Sequence, residues 1–248
     1  MKRPYRVQTY HQTEHADWRT VKIPAVQEHP QAKEPMLYYP KIPGPAEAPL
    51  ARCTAFEKYD GTNLHWTWDR DHGWHAFGTR REEYNWTSEG RAAFTEQHDH
   101  LREALTIFQE TLADGLGRIF RNHQRYSVWQ ELRAYTEFLG PNSFAGRHKA
   151  GELKELRLFD VAATPFGFIG PEQFTADFSA LPSAKVVYIG RFTGKLTADV
   201  REGKYPVTEG VVCKGGAGPT RWAVKVKTDA YMAKLKQAFA DQWEQYWE

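Results

Sequence analysis

The first periodic pattern along the chain lies at 63–68, where Leu64, Trp66 and Trp68 alternate with Asn63, His65 and Thr67. Successive side chains of a strand point to opposite faces, so this alternation predicts a strand with one face buried. Asp69–Gly73 carries turn residues, and Trp74–Arg80 predicts the returning strand of a hairpin. The period then lengthens. Phe94, Leu101, Leu105, Phe108 and Leu112 share one helix face, with Ser88 as the predicted N-cap and Gly115 as the predicted stop. Strand-like runs follow at 126–132, 156–162, 186–192, 210–214 and 222–227. Tyr231, Leu235, Phe239 and Trp243, four residues apart, predict a last helix that runs to the C-terminus. Ahead of all this, seven prolines from Pro24 to Pro49 make residues 1–50 an irregular wrap. The elements sum to an α+β fold of mainly antiparallel strands with flanking helices, one core and one domain over 1–248.

Composition narrows the classes. The 248 residues are 41% hydrophobic and 26% charged, which excludes a disordered chain. No run approaches the roughly 20 apolar residues of a membrane span, and the N-terminus lacks the apolar stretch of a secretory signal. Two cysteines, Cys53 and Cys213, exclude a disulfide scaffold and point to a reducing cytoplasm. Lys and Arg total 33 against 31 Asp and Glu, so a phosphate-bearing partner needs a local basic site rather than a global charge bias. Nine tryptophans serve a core or stack on bases, and composition does not separate the two uses.

Three segments carry candidate chemistry. In Glu57-Lys58-Tyr59-Asp60-Gly61-Thr62-Asn63 a lysine ends a strand just before a glycine turn, a place suited to a nucleophilic amine. An amine attacks only when neutral, so positive neighbours and burial are expected to lower its pKa. In Trp222-Ala223-Val224-Lys225-Val226-Lys227, strand alternation puts both lysines on one face and the apolar residues on the other. Two adjacent ammonium groups call for an anion, and a phosphate suits them. In Thr208-Glu209-Gly210-Val211-Val212-Cys213-Lys214, Glu209 and Lys214 have opposite strand parity and share a pocket only if the strand bends or Glu209 stands at its beginning. His98-Asp99-His100 does not share a helix face as a metal pair would, and the glycines at 215, 216 and 218 read as a hairpin loop.

In order, EKYDGTN, FGTRRE, TEFLGPNSF, LFDVA, EGVVCK and WAVKVK resemble the collinear motifs of the covalent nucleotidyltransferases, the polynucleotide ligases and mRNA capping enzymes. Within them the chain is most similar to the nick-sealing RNA ligase 2 family. Tyr38-Tyr39-Pro40-Lys41-Ile42 fits that group, as does Asn63, where DNA ligases tend to carry arginine. The resemblance implies an ATP-dependent RNA ligase that uses magnesium, or manganese in its place. Its partner would be RNA with 5′-phosphate and 3′-hydroxyl ends, as a nicked duplex or single strands. It implies Lys58 as the nucleophile that takes AMP, with Asp60, Gly61 and Asn63 completing the nucleotide-binding turn. It further implies that Glu57 reads the adenine amine and Phe159 stacks on the base. Arg80, or Arg81, would bind the sugar or an RNA end, and Glu137, with Glu131 as the second candidate, a ribose hydroxyl. Glu209 would hold hydrated metal, and Lys214, Lys225 and Lys227 would grip phosphates. Such enzymes usually carry a further C-terminal domain. None is expected here, which leaves a separate protein to supply substrate grip. A DNA-ligase-like or capping-like enzyme and a non-catalytic nucleic-acid-binding relative are the alternatives.

Overall fold

The computed structural model of the chain describes residues 38–141 and 151–239. Its elements run β1 (Arg52–Lys58), β2 (Thr62–Asp69), β3 (Gly73–Thr79), β4 (Glu83–Asn85), α1 (Ser88–Gln97), α2 (Arg102–Phe108), α3 (Asp114–Asn122), β5 (Glu131–Leu139), β6 (Glu155–Thr164), β7 (Gly167–Phe168), α4 (Pro171–Phe178), β8 (Val186–Arg191), α5 (Gly194–Arg201), β9 (Gly210–Gly215), β10 (Trp222–Lys227) and α6 (Asp229–Phe239). The strands form two sheets, ordered β4-β3-β2-β5-β6-β7 and β10-β9-β1-β8. Each ladder is antiparallel. The fold is therefore α+β, as the periodicity predicts.

Leu64, Trp66 and Trp68 of β2 are buried as read, and Trp66 lies flat on Phe108 of α2 at 3.9 Å between centroids. His65 and Thr67 on the other face are buried too, because β2 lies inside the sheet between β3 and β5 rather than half-exposed. The turn after it is built by Asp69, whose Oδ1 accepts from the backbone N–H of Asp71 and His72 at 2.9 and 2.6 Å. The helical face predicted from Phe94 to Leu112 is buried throughout, but it belongs to several pieces rather than one helix. Thr87, not Ser88, caps α1 by accepting from the Gly90 N–H. Gly115 is not a stop. It sits inside α3, where an added Cβ would lie 2.4 Å from Leu181, so glycine permits close packing there. The strand predicted at 126–132 is displaced to Glu131–Leu139, because Tyr126 is tied down by a 2.6 Å hydrogen bond to Asp177 before the strand begins.

One core was expected, and the described residues hold three clusters. The largest packs α1–α4 on the six-stranded sheet, a second lies under α5 on the four-stranded sheet, and a small one joins Tyr39, Tyr135 and Phe168. Of the expected N-terminal wrap, 1–37 lies outside the described residues, and 38–50 holds a single short turn of helix at Pro45–Glu47. Trp243 also lies outside them, as do residues 142–144 of the TEFLGPNSF motif.

Candidate active site

The chain crosses from the four-stranded to the six-stranded sheet between β1 and β2, at Tyr59-Asp60-Gly61. Lys58 ends the first strand, so it stands at the crossing. Gly61 is required there: a Cβ would sit 2.4 Å from the Phe138 carbonyl oxygen. A cavity of about 510 Å³ opens at this point, lined by residues of both sheets.

From the four-stranded sheet come Lys58, Glu209, Lys214, Lys225 and Lys227. Lys58, Gly210 and Lys227 are direct neighbours across β1, β9 and β10. The parity problem at Glu209 is solved by Gly210, whose φ of 154° bends the chain into β9 and turns Glu209 toward the lysines. No side chain fits at Gly210, since a Cβ would meet the Val226 carbonyl oxygen at 2.0 Å. Lys58 Nζ lies 2.8 Å from each Glu209 carboxylate oxygen, and Lys227 Nζ lies 3.9 Å from Oε1. The alternation read in β10 holds, with Val224 and Val226 buried in the α5 cluster and both lysines in the cavity. Lys227 is not on a solvated face, however. Its side chain is 7% exposed, and its ammonium lies 5.5 Å from the Tyr231 ring of α6.

From the six-stranded sheet come Asn63, Glu137 and Phe159. Asn63 and Glu137 pair across β2 and β5, and Glu137 accepts the Gly61 N–H at 3.1 Å. Asn63 Oδ1 is buried without a hydrogen-bond partner beside that carboxylate. Two acceptors so placed suit donor groups such as sugar hydroxyls. Glu131 is at the other end of β5, hydrogen-bonded to Thr164, and is not in the cavity. Glu57, Asp60, Arg80 and Arg81 also line it, with both arginines exposed. Arg80 Nε donates to the Tyr39 carbonyl at 3.1 Å. The twelve first-choice site residues, and Arg81, thus border one cavity, and only the alternative Glu131 does not.

The electrostatics differ from expectation at the nucleophile. Burial pulls the Lys58 pKa down, but Glu209 and then Glu137 push it up, and the net shift is upward. The lysine cluster was expected to lower it. Glu209, in direct contact, together with Glu137 outweighs the burial. The lowering falls instead on Lys225, brought to about 8 by burial and by Lys227, Lys58 and Lys41. Glu137 is pushed up to about 7, chiefly by burial and with Glu209 adding to it, against the pull of Lys58. Lys214 falls to about 8 because it is buried. Its ammonium donates to Asp160 at 2.9 Å and to the Phe159 carbonyl at 2.6 Å, so it is already engaged in the cavity wall.

Sequence reasoning missed Lys41, Tyr39 and Tyr231, which line the cavity too. Tyr39 and Lys41 lie in a motif quoted only for its likeness, and Tyr231 reads from its spacing as a core position.

No protein-family model matches the sequence, and no curated protein matches it. Solved structures do match in fold. A point mutant of the Naegleria gruberi RNA ligase with ATP and Mn superposes with a TM-score of 0.53 at 13% identity, covering 80% of this chain and 58% of that one. Two apo point mutants of that ligase each give 0.51 at 14% identity; one covers 81% of this chain and 58% of its own, the other 82% and 59%. The chain thus spans less than three fifths of the length of these ligase structures. The chain shares the fold of these RNA ligase structures.

Proposed function

We propose that this chain is an ATP-dependent RNA ligase acting through a lysyl-AMP intermediate, with 1–248 as one adenylation domain. The observation that carries the reading is the cavity itself. One reactive-type lysine, Lys58, faces two more lysines, Lys225 and Lys227, across a buried glutamate, on a fold shared with an RNA ligase solved with ATP and Mn. Deprotonated Lys58 Nζ attacks the α-phosphorus of ATP. The N–P bond forms, the bond to the bridging oxygen breaks, and pyrophosphate leaves. The proton must go first, and Glu209 at 2.8 Å is the first acceptor in reach on its way to solvent. Lys225 and Lys227 neutralise the phosphate charge, which is what such transfers chiefly need. A 5′-phosphate oxygen of RNA then takes the AMP from Lys58. Finally a 3′-hydroxyl attacks the activated phosphorus and releases AMP. Asn63 and Glu137 hold ribose hydroxyls, Phe159 stacks on the base, Glu57 reads its amine, and Arg80 or Arg81 meets the RNA end.

A divalent metal fits the donor chemistry, although no group of three or more His, Cys, Asp or Glu able to hold a metal occurs among the described residues. Magnesium keeps several waters and takes only one or two carboxylates, so Glu209 in the cavity suffices as its protein ligand. When bound, magnesium or manganese would supply counter-charge to the phosphate oxygens. A cytoplasmic setting belongs to this proposal; among the described residues no helix is long and apolar enough to cross a membrane. A separate protein supplying grip on the RNA belongs to the same proposal.

The test is joining of nicked duplexes that differ only in the sugar at the 3′-hydroxyl end. The 2′-hydroxyl distinguishes RNA at a site, so ribose should seal faster than deoxyribose. Equal or faster sealing of the all-DNA nick would replace RNA ligase with a DNA-ligase-like enzyme. Labelling from GTP in preference to ATP would favour capping chemistry.

A further inference from the structure

Phe159 faces the cavity because of a defect in β6. Across β5 and β6, Tyr135 pairs with Asp160 and Thr136 with Leu158, so Phe159 is the extra residue of a β-bulge. Strict alternation would send Phe159 and Asp160 to opposite faces. The bulge lets Leu158 enter the helix-side core while Phe159 and Asp160 both turn toward the cavity side. A bulge gives up ladder order and needs support from outside the sheet. Lys214 supplies part of it through the Phe159 carbonyl, and it is anchored on Asp160.

Asp160 has a second cation. Arg221, in the turn just before β10, donates from Nη2 to Asp160 Oδ2 at 2.6 Å and to the Tyr39 hydroxyl at 2.7 Å. Tyr39 in turn donates to Asp160 Oδ2 at 2.6 Å and sets its ring edge-on to Phe159 at 5.1 Å. The Arg221 guanidinium covers Phe168 at 3.9 Å, and its side chain is 9% exposed. It does not line the cavity and lies outside every quoted motif. Lone surface arginines do not make such sets of contacts. Here one arginine joins the turn before β10 to β6 and the N-terminal segment, behind the wall that holds Phe159.

We propose that Arg221 is a positioning residue for nucleobase binding: through Asp160 and Tyr39 it holds the β6 bulge that presents Phe159 to the cavity. The proposal rests on the reading of Phe159 as a base-stacking residue. Loss of one buried charged hydrogen bond commonly costs tenfold or more in the equilibrium it supports.

The test compares the parent with Arg221→Met, Arg221→Lys and, as a solvent-exposed arginine control, Arg52→Met. Two readouts are taken: hydrogen exchange of the 156–162 segment without nucleotide, and the ATP dependence of covalent labelling. Arg221→Met should exchange faster at 156–162 and raise the KM for ATP about tenfold or more, with the saturating rate within about threefold. Arg221→Lys keeps the charge facing Asp160 and should recover most of both, which also guards against a misfolded Met variant. Arg52→Met should change neither. Unchanged exchange in Arg221→Met overturns the proposal whatever the protein's activity. Faster exchange with an unchanged KM also overturns it, leaving Arg221 a structural pin alone. Absence of label in the parent removes the ligase reading, and the base-positioning role falls with it, while exchange still reports whether the bulge is held.

Discussion

Lys225 and Lys227 lie two residues apart on one face of β10, and what they face decides their use. Lys58, Lys225 and Lys227 share one cavity, and burial first, then the charges of Lys227, Lys58 and Lys41, bring Lys225 down to about 8. An incoming polyphosphate would offset these charges. Lys225→Ala and Lys227→Ala should therefore each slow AMP transfer by roughly 10², the scale of losing one preorganised electrostatic group. Rates of self-labelling near the parent's in both variants would contradict this. Glu137 gives a second residue-level prediction. Its carboxyl titrates near 7 in the fold, against an ordinary 4.5. Between those values the unfolded chain gives up a proton that the fold keeps, so stability falls as pH rises from about 4.5 to 7 and is level above. Glu137→Gln removes that loss while its amide oxygen still accepts from Gly61. The Tm advantage of the variant should be larger at pH 8 than at pH 5. A gap independent of pH would contradict the shift.

At the scale of elements, the bend at Gly210 is the joint on which the site depends. Ala at that position has an unfavourable φ and a Cβ against the Val226 carbonyl. Backbone strain of this kind costs about 1–3 kcal/mol, or roughly 2–12 °C in Tm for a chain of this size. Gly210→Ala should melt earlier and lose labelling even where it remains folded, because Glu209 is carried with the bend. Parental melting and labelling together would contradict it. The same elements show what could be read from the residues. Alternation in β2 and β10, and the apolar helical face from Phe94 to Leu112, are period patterns local to the chain, and they place the apolar side of each element correctly. The burial of His65 and Thr67 on the other face of β2 comes from neighbours that the strand's own pattern does not show. The bulge at Phe159 is a mismatch in count between two strands, so neither strand alone reveals it. Helices α4 and α5 escape a reading by period because each buries only two or three positions, Pro171, Phe174 and Phe178 in one and Leu196 and Val200 in the other. Their start signals, Pro171 and Thr193, were legible. Arg221 could not be found by motif, since its partners are 61 and 182 residues away in sequence.

At the scale of the whole molecule, the two antiparallel sheets meet where β1 passes into β2, and the residues that suit nucleotide chemistry converge there from both. The fold is that of an RNA ligase at 13–14% identity, so likeness of shape carries the architecture and the cavity residues carry the chemistry. The central claim is that Lys58 becomes covalently bonded to AMP. The most direct measurement is incubation with ATP labelled at the α-phosphate and magnesium or manganese, followed by denaturing electrophoresis and mass mapping of the modified peptide. The expected result is one AMP per chain on Lys58, in a bond labile to acid and stable to base, and absent from Lys58→Ala. Label that persists in Lys58→Ala, or a folded parent that takes none, would contradict the claim.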